Sequence, residues 1–303
     1  MTATQPVRSG TRLKAFLNSA CGNVEAARKA LGEAGLEIEE VKPREIESCL
    51  KQAIGQGAKR ILVVGGDGTI ATAAALVANS EIELAILPGG TLNHFAKDHG
   101  IPTDLGKAAL VAETGPVVRA DVGYLNDCVF LNTSSFGAYV TFVRDRDRFE
   151  KRFGYSIASV LAFIKMWSEI RTFSVTLEAK GEKKTYRASL VFIGVGEREL
   201  KAPILGNRVK NGDRGLHVMI VQGSGPARFF ALALAGITKG REQAEKLPEF
   251  DDFLVESCRI DLDRPEVTLG LDGELKRFTT PLDYRIERDA LKLVVAPPDG
   301  DES

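Results

Sequence analysis

Three short stretches of this chain combine residue types that chemistry on a charged substrate would need. The first is Gly65-Gly66-Asp67-Gly68-Thr69, where three glycines free the backbone of Cβ atoms so that it can turn sharply and lie against a ligand. The second is Pro88-Gly89-Gly90-Thr91-Leu92-Asn93-His94, again two glycines and a threonine behind an apolar run. A glycine turn between a strand end and a helix start offers unpaired N–H groups and the positive end of a helix dipole, and phosphate is its usual guest. The third stretch, Leu271-Asp272-Gly273-Glu274, sets two carboxylates around a glycine that lets the backbone bring both near one point. Phosphoryl transfer needs such a group to take the proton of the attacking hydroxyl.

Each stretch also has a plainer reading. The first turn contains no GxxxxGK[ST] and no GxGxxG, and Asp67 could simply bond its own backbone. A carboxylate among phosphate-binding amides repels phosphate unless a cation or a ribose hydroxyl lies between them. Thr69 could cap the following helix or offer its hydroxyl to a ligand. Asn93 could bond a ligand or cap its helix, His94 suits packing or the surface, and Asp272-Gly273 is a common hairpin turn.

These residues need elements to hold them. Residues 61–64 form an unbroken apolar run that reads as a strand buried on both faces, and 70–78, rich in alanine and leucine, read as a helix. Upstream, 13–17 and 36–41 read as strands, and 24–31 and 45–54 as helices, with Pro43 opening the second of them. Downstream, 84–87 is a fourth strand and 104–113 a helix. Strands alternating with helices predict a parallel sheet in a Rossmann-like α/β layer. The two glycine turns would then stand side by side at the carboxyl ends of neighbouring strands, where open α/β sheets bind ligands.

From residue 116 onward strand follows strand: 117–122, 129–133, 173–179, 185–195, 216–221, 254–262 and 267–271, with a hairpin turn at 181–184. That texture predicts an antiparallel, β-sandwich-like second domain. Two helices interrupt it. Residues 144–171 open on the alternating charges RDRDRFEKR, a solvated face. Residues 227–240 have an apolar body with basic ends, which suits either a membrane surface or a buried core.

A length of 303 residues predicts two domains. Lys and Arg (40) balance Asp and Glu (41) to a net charge of -1, which offers no general attraction to nucleic acid, so any membrane contact must be local. The four cysteines form no CxxC and suit a reduced cytosol. The first residues lack the apolar core of a signal peptide, and no apolar run approaches the roughly 20 residues of a transmembrane segment. The expectation is a cytoplasmic protein, at most peripheral to a membrane.

The three stretches, in this order, resemble the diacylglycerol kinase catalytic-domain family, specifically the soluble bacterial lipid kinases. Asn18 and Gly22 match that family's first turn, although Ser19 and Cys21 stand where proline and serine are usual. The resemblance implies an ATP-dependent kinase acting on a hydroxyl of a diacylglycerol-like lipid at a membrane surface, with Mg²⁺. It implies a nucleotide-binding α/β domain over 1–117, completed by about 285–303, and a β-rich lipid-substrate domain over 118–284. ATP would be bound by Asn18, Gly22, Gly65, Gly66, Asp67, Gly68, Thr69, Gly90, Thr91 and Asn93, and Asp272 or Glu274 would be the base. Members carry an aspartate before the Gly215-Leu216 pair that holds a structural magnesium. Here Arg214 takes that position and Asp213, one place earlier, is the nearest carboxylate. An NAD kinase, a non-catalytic nucleotide- or lipid-binding module and a homodimer all stay open at this point.

Overall fold

The computed structural model describes residues 13–154, 161, 165, 171–201, 204–209, 211–223 and 250–297. The chain divides into two compact units, Met1–Val122 with Arg288–Ser303, and Gly123–Glu287.

The first unit runs β1 (Lys14–Asn18), α1 (Val24–Glu33), β2 (Glu37–Val41), α2 (Ile46–Gly55), β3 (Arg60–Gly65), α3 (Asp67–Val77), β4 (Glu83–Pro88), α4 (His94–Asp98) and α5 (Leu105–Thr114). β5 (Val117–Leu125) leads out of it, and the last strand, β17 (Leu282–Val294), returns to it. The strands pair in parallel in the order β2-β1-β3-β4-β17. Residues 61–64 are fully buried because helices cover both faces of the sheet. Leu62, Val64, Ala85 and Leu87 pack with Ala27, Leu31, Ala108 and Ala112 of α1 and α5. The alternate residues Ile61, Val63 and Ile86 face the other side, which α2 and α3 cover. Each such side chain withdrawn from water contributes about 2 kcal/mol.

The order 2-1-3-4 reverses direction between β1 and β3. This switch leaves a crevice beyond the carboxyl ends of those two strands. Asn18 ends β1, Gly65 ends β3 and Pro88 ends β4, so the first glycine turn borders the crevice and the second lies next to it.

The second unit adds β6 (Cys128–Phe130), β7 (Thr133–Gly137), α6 (Ala138–Phe153), β8 (Phe173–Ala179), β9 (Glu182–Val195), β10 (Arg198–Lys201), β11 (Ile204–Arg208), β12 (Leu216–Gln222), β13 (Phe250–Val255), β14 (Ser257–Leu262), β15 (Glu266–Leu271) and β16 (Glu274–Thr279). β9 is the hub, pairing antiparallel with β8 along its first half, with β7 along its second and with β12 on its other edge. One arm runs β7-β15-β16 and another β8-β14-β17. Both contribute to one apolar cluster that includes Phe136, Val175, Ile193, Val218, Ile260, Leu269 and Tyr284. The fold is therefore a parallel α/β unit followed by an antiparallel, sandwich-like unit.

Several expected spans shift. The strand expected at 129–133 is two strands broken at Leu131-Asn132, and that at 254–262 is two broken at Glu256. The hairpin turn is Lys180-Gly181, both at positive φ, with Ala179 already paired to Glu182. α6 starts at Ala138, six residues before its expected start. Pro43 lies in the turn ahead of α2 and not in its first helical turn. Residues 227–240 lie outside the described residues, as does most of the later half of 144–171.

Candidate functional site

In the first unit, three turns are tied into one edge. α3 begins at Asp67 with Gly66 as its N-cap, so Thr69 sits inside the first turn and does not cap the helix. The Thr69 hydroxyl instead accepts a hydrogen bond from the Asn18 side-chain amide at 2.9 Å, which bridges the crevice between β1 and β3. No side chain caps α3, and its first-turn N–H groups follow a backbone bared by Gly65, Gly66 and Gly68. The second turn lies directly against the first, and a Cβ at Gly90 would stand 2.7 Å from the Gly66 Cα. A Cβ at Gly89 would meet the Cys21 Sγ at 3.1 Å, so the turn after β1 closes on the same place. Burial there raises the Cys21 thiol pKa. Gly22 is exposed nearby, with its Cβ position 3.8 Å from the Gly89 carbonyl oxygen.

Asp67 does not bond its own turn. Its carboxylate accepts long hydrogen bonds from the N–H groups of His94 (3.4 Å) and Phe95 (3.3 Å), the first residues of α4. The negative charge thus complements the N-terminus of the neighbouring helix and fastens the two glycine turns together. Asn93 makes no cap contact. Held at φ 51, it accepts from the Gly90 N–H at 2.9 Å and donates to the Gly90 carbonyl at 2.7 Å, so it shapes the second loop. Thr91 stays exposed on that loop.

In the second unit, Asp272 and Gly273 form the two-residue turn between β15 and β16, both at positive φ. The turn is a hairpin, yet the Asp272 side chain has a task of its own. One carboxylate oxygen accepts from the Leu131 N–H at 2.8 Å, and the other from Asn132 at 2.8 Å and Thr133 at 3.0 Å. The Asp272 N–H in turn donates to the Thr133 carbonyl. Glu274 differs: its side chain is 57% exposed, with Lys276 3.4 Å away. The two carboxylates flank one turn, but Asp272 is engaged by backbone donors and Glu274 faces solvent.

Asp213 lies exposed before β12, its N–H donating to the Glu197 carboxylate at 2.8 Å. Among the described residues no group of three His, Cys, Asp or Glu side chains could hold a metal ion.

Sequence reasoning missed the backbone donors of 131–133, which carry no side-chain signal, and the Asp67 contact, which needs the second loop in place. Glycine turns at the switch point of a parallel sheet, with an uncapped helix behind them, form an edge of bare backbone amides on the α/β unit. Residues 13–125 match the model of the diacylglycerol kinase catalytic domain. A Cronobacter sakazakii protein named "Probable lipid kinase YegS-like" is 29% identical over 245 residues, covering 74% of each chain. An uncharacterized protein of Synechocystis sp. is 31% identical over 150 residues, half of this chain but only 35% of that one. The crystal structure of a diacylglycerol kinase from Bacillus anthracis shares the fold, with a TM-score of 0.68 at 22% identity over 94% of this chain and 97% of that one. Among the described residues no helix is long and apolar enough to cross a membrane.

Proposed function

We propose that this protein is an ATP-dependent lipid kinase that transfers the γ-phosphate to a hydroxyl of a diacylglycerol-like lipid, working as a peripheral protein at a cytoplasmic membrane surface. The observation that carries the reading is the uncapped start of α3, framed by glycine turns packed on one another at the switch point. Bare amides and a helix dipole fit a polyphosphate, and a side chain at Gly66 or Gly90 would fill the place where they meet. With Asp67 turned to α4, its charge serves the scaffold and does not oppose the phosphates. Asn18 and Thr69 hold the turns after β1 and β3 in register, and Thr91 offers an exposed hydroxyl at the rim.

In this reading Glu274 is the base. The lipid hydroxyl gives its proton to the Glu274 carboxylate as its oxygen forms the new P–O bond, and the bond from the γ-phosphorus to the bridging oxygen breaks to release ADP. Asp272 is a positioning residue, because its oxygens already accept three backbone N–H groups. Mg²⁺ accompanies ATP and offsets charge on the phosphates. The names of the relatives support a lipid as the acceptor. The test is to incubate the full chain with γ-labelled ATP and a panel of diacylglycerols, monoacylglycerols and phosphatidylglycerol, with NAD as a competing acceptor. Label entering a lipid supports the reading. Label entering only NAD, or none with ATP bound, contradicts it.

A further inference from the structure

A cavity of about 490 Å³ opens in the second unit, far along the β15–β16 hairpin from Asp272. Its lining reaches along β15 as far as Thr268, four residues from Asp272, which is about 13 Å at strand rise. Four arginines border it: Arg144 from α6, Arg171 before β8, Arg264 before β15 and Arg277 from β16. A single carboxylate, Glu266, stands among them, 3.5 Å from Arg277. Arg144 and Arg171 have no hydrogen bond or ion pair among the described residues. The Arg264 guanidinium stacks over the Phe173 ring at 5.7 Å and has no carboxylate partner there either. In a chain of net charge -1, three cations without acidic partners among the described residues, set around one hollow, make a local feature that suits an anion. The floor is apolar: Val140 and Val267 are buried beneath the rim, beside Phe173.

We propose that this cavity receives the phosphate headgroup of an anionic phospholipid and so docks the second unit on a bilayer, separately from the acceptor lipid of the reaction. A phosphate meets the arginine rim by charge-assisted hydrogen bonds, and the upper glycerol and acyl carbons cover the valines and Phe173. A free phosphate would leave that floor in water, which is why the lipid is the favoured source. The size fits a headgroup with its glycerol.

The experiment is co-sedimentation of the full chain with vesicles of phosphatidylcholine alone or mixed with phosphatidylglycerol; its readout needs no catalysis. Binding to the mixed vesicles is expected to exceed binding to phosphatidylcholine. Arg144→Gln/Arg171→Gln should lower it by about five-fold per arginine. These side chains are exposed and make no hydrogen bond or ion pair among the described residues, so the melting temperature should not change, and Arg144→Lys/Arg171→Lys should retain most of the binding. The control Arg28→Gln/Lys51→Gln removes the same charge from the first unit and should leave binding intact. Equal losses in both double variants would reduce the effect to general charge and overturn the site. Stabilisation of the wild type by inorganic phosphate, lost in Arg144→Gln/Arg171→Gln while vesicle binding is unchanged, would assign the cavity to a soluble anion and overturn the lipid.

Discussion

Asp272 and Asn132 lie 140 residues apart in sequence, and the Asp272 carboxylate accepts the Asn132 N–H at 2.8 Å. With Leu131 and Thr133 donating to the same carboxylate, the turn before Glu274 is fastened to the start of β7. This makes Asp272 a part of the second unit's framework.

Replacing Asp272 by alanine strands those three N–H groups and places a Cβ-branched-free but helix-preferring residue at φ 49. The expected loss is about 2–4 kcal/mol in urea unfolding. Asp272→Asn keeps one acceptor oxygen and a residue type that tolerates positive φ, so its loss should be less than half as large. Equal losses in the two variants would show that the carboxylate does not anchor 131–133.

The contact between the glycine turns predicts that Gly90→Ala cannot be accommodated in place. Its Cβ would meet the Gly66 Cα at 2.7 Å and the Asn93 Oδ1 at 2.9 Å, and the first of these is backbone. The turns must part, at a cost of about 1–3 kcal/mol in stability and with ATP binding lost. Calorimetric titration with ATP checks the second half, and unaltered affinity would contradict it.

Thr69→Val removes the acceptor of the Asn18 amide while keeping the shape of the side chain. Stability should fall by about 1 kcal/mol, the worth of one ordinary hydrogen bond, and ATP affinity should fall with it as the turn after β1 loses its tie to α3. Titration of ATP against the variant measures it.

Burial pushes the Cys258 thiol up to about 12 and also raises the Tyr284 hydroxyl, which donates to or accepts from Ser134. Both groups hold their protons more tightly when folded. Their contribution is whole below the unfolded thiol value of 9.0 and is lost as pH climbs towards 12. Urea unfolding should therefore show stability falling by about 1.4 kcal/mol per pH unit for Cys258 in that window, and Cys258→Ala should remove this part of the slope. The exposed Cys128 should react with a thiol reagent in the native protein while Cys258 waits for unfolding.

The parallel unit was legible because its signals are local. Residues 61–64 are apolar throughout since both faces are covered, and the glycines follow at once. Partners distant in sequence were not legible: nothing near Asp67 announces the N–H groups of His94 and Phe95, and nothing near Asp272 announces 131–133. In the second unit the inward face changes at Glu256 and Ser257, both exposed between buried Val255 and Cys258, a one-residue slip that no turn residue announces, so two strands read as one. β16 escaped notice because it is largely exposed and charged. The arginine cavity gathers residues from four separate segments, so only folding assembles it.

The central claim is that Glu274, and not Asp272, accepts the proton of a lipid hydroxyl. Its most direct test is the rate of label transfer from γ-labelled ATP to diacylglycerol in detergent micelles for the wild type, Glu274→Gln and Asp272→Asn, with ATP affinity measured alongside. The account predicts a wild type that transfers label and a Glu274→Gln rate lower by roughly a hundred- to ten-thousand-fold at unchanged ATP affinity. Asp272→Asn should lose far less once corrected for the folded fraction. A Glu274→Gln variant as fast as the wild type would contradict the account.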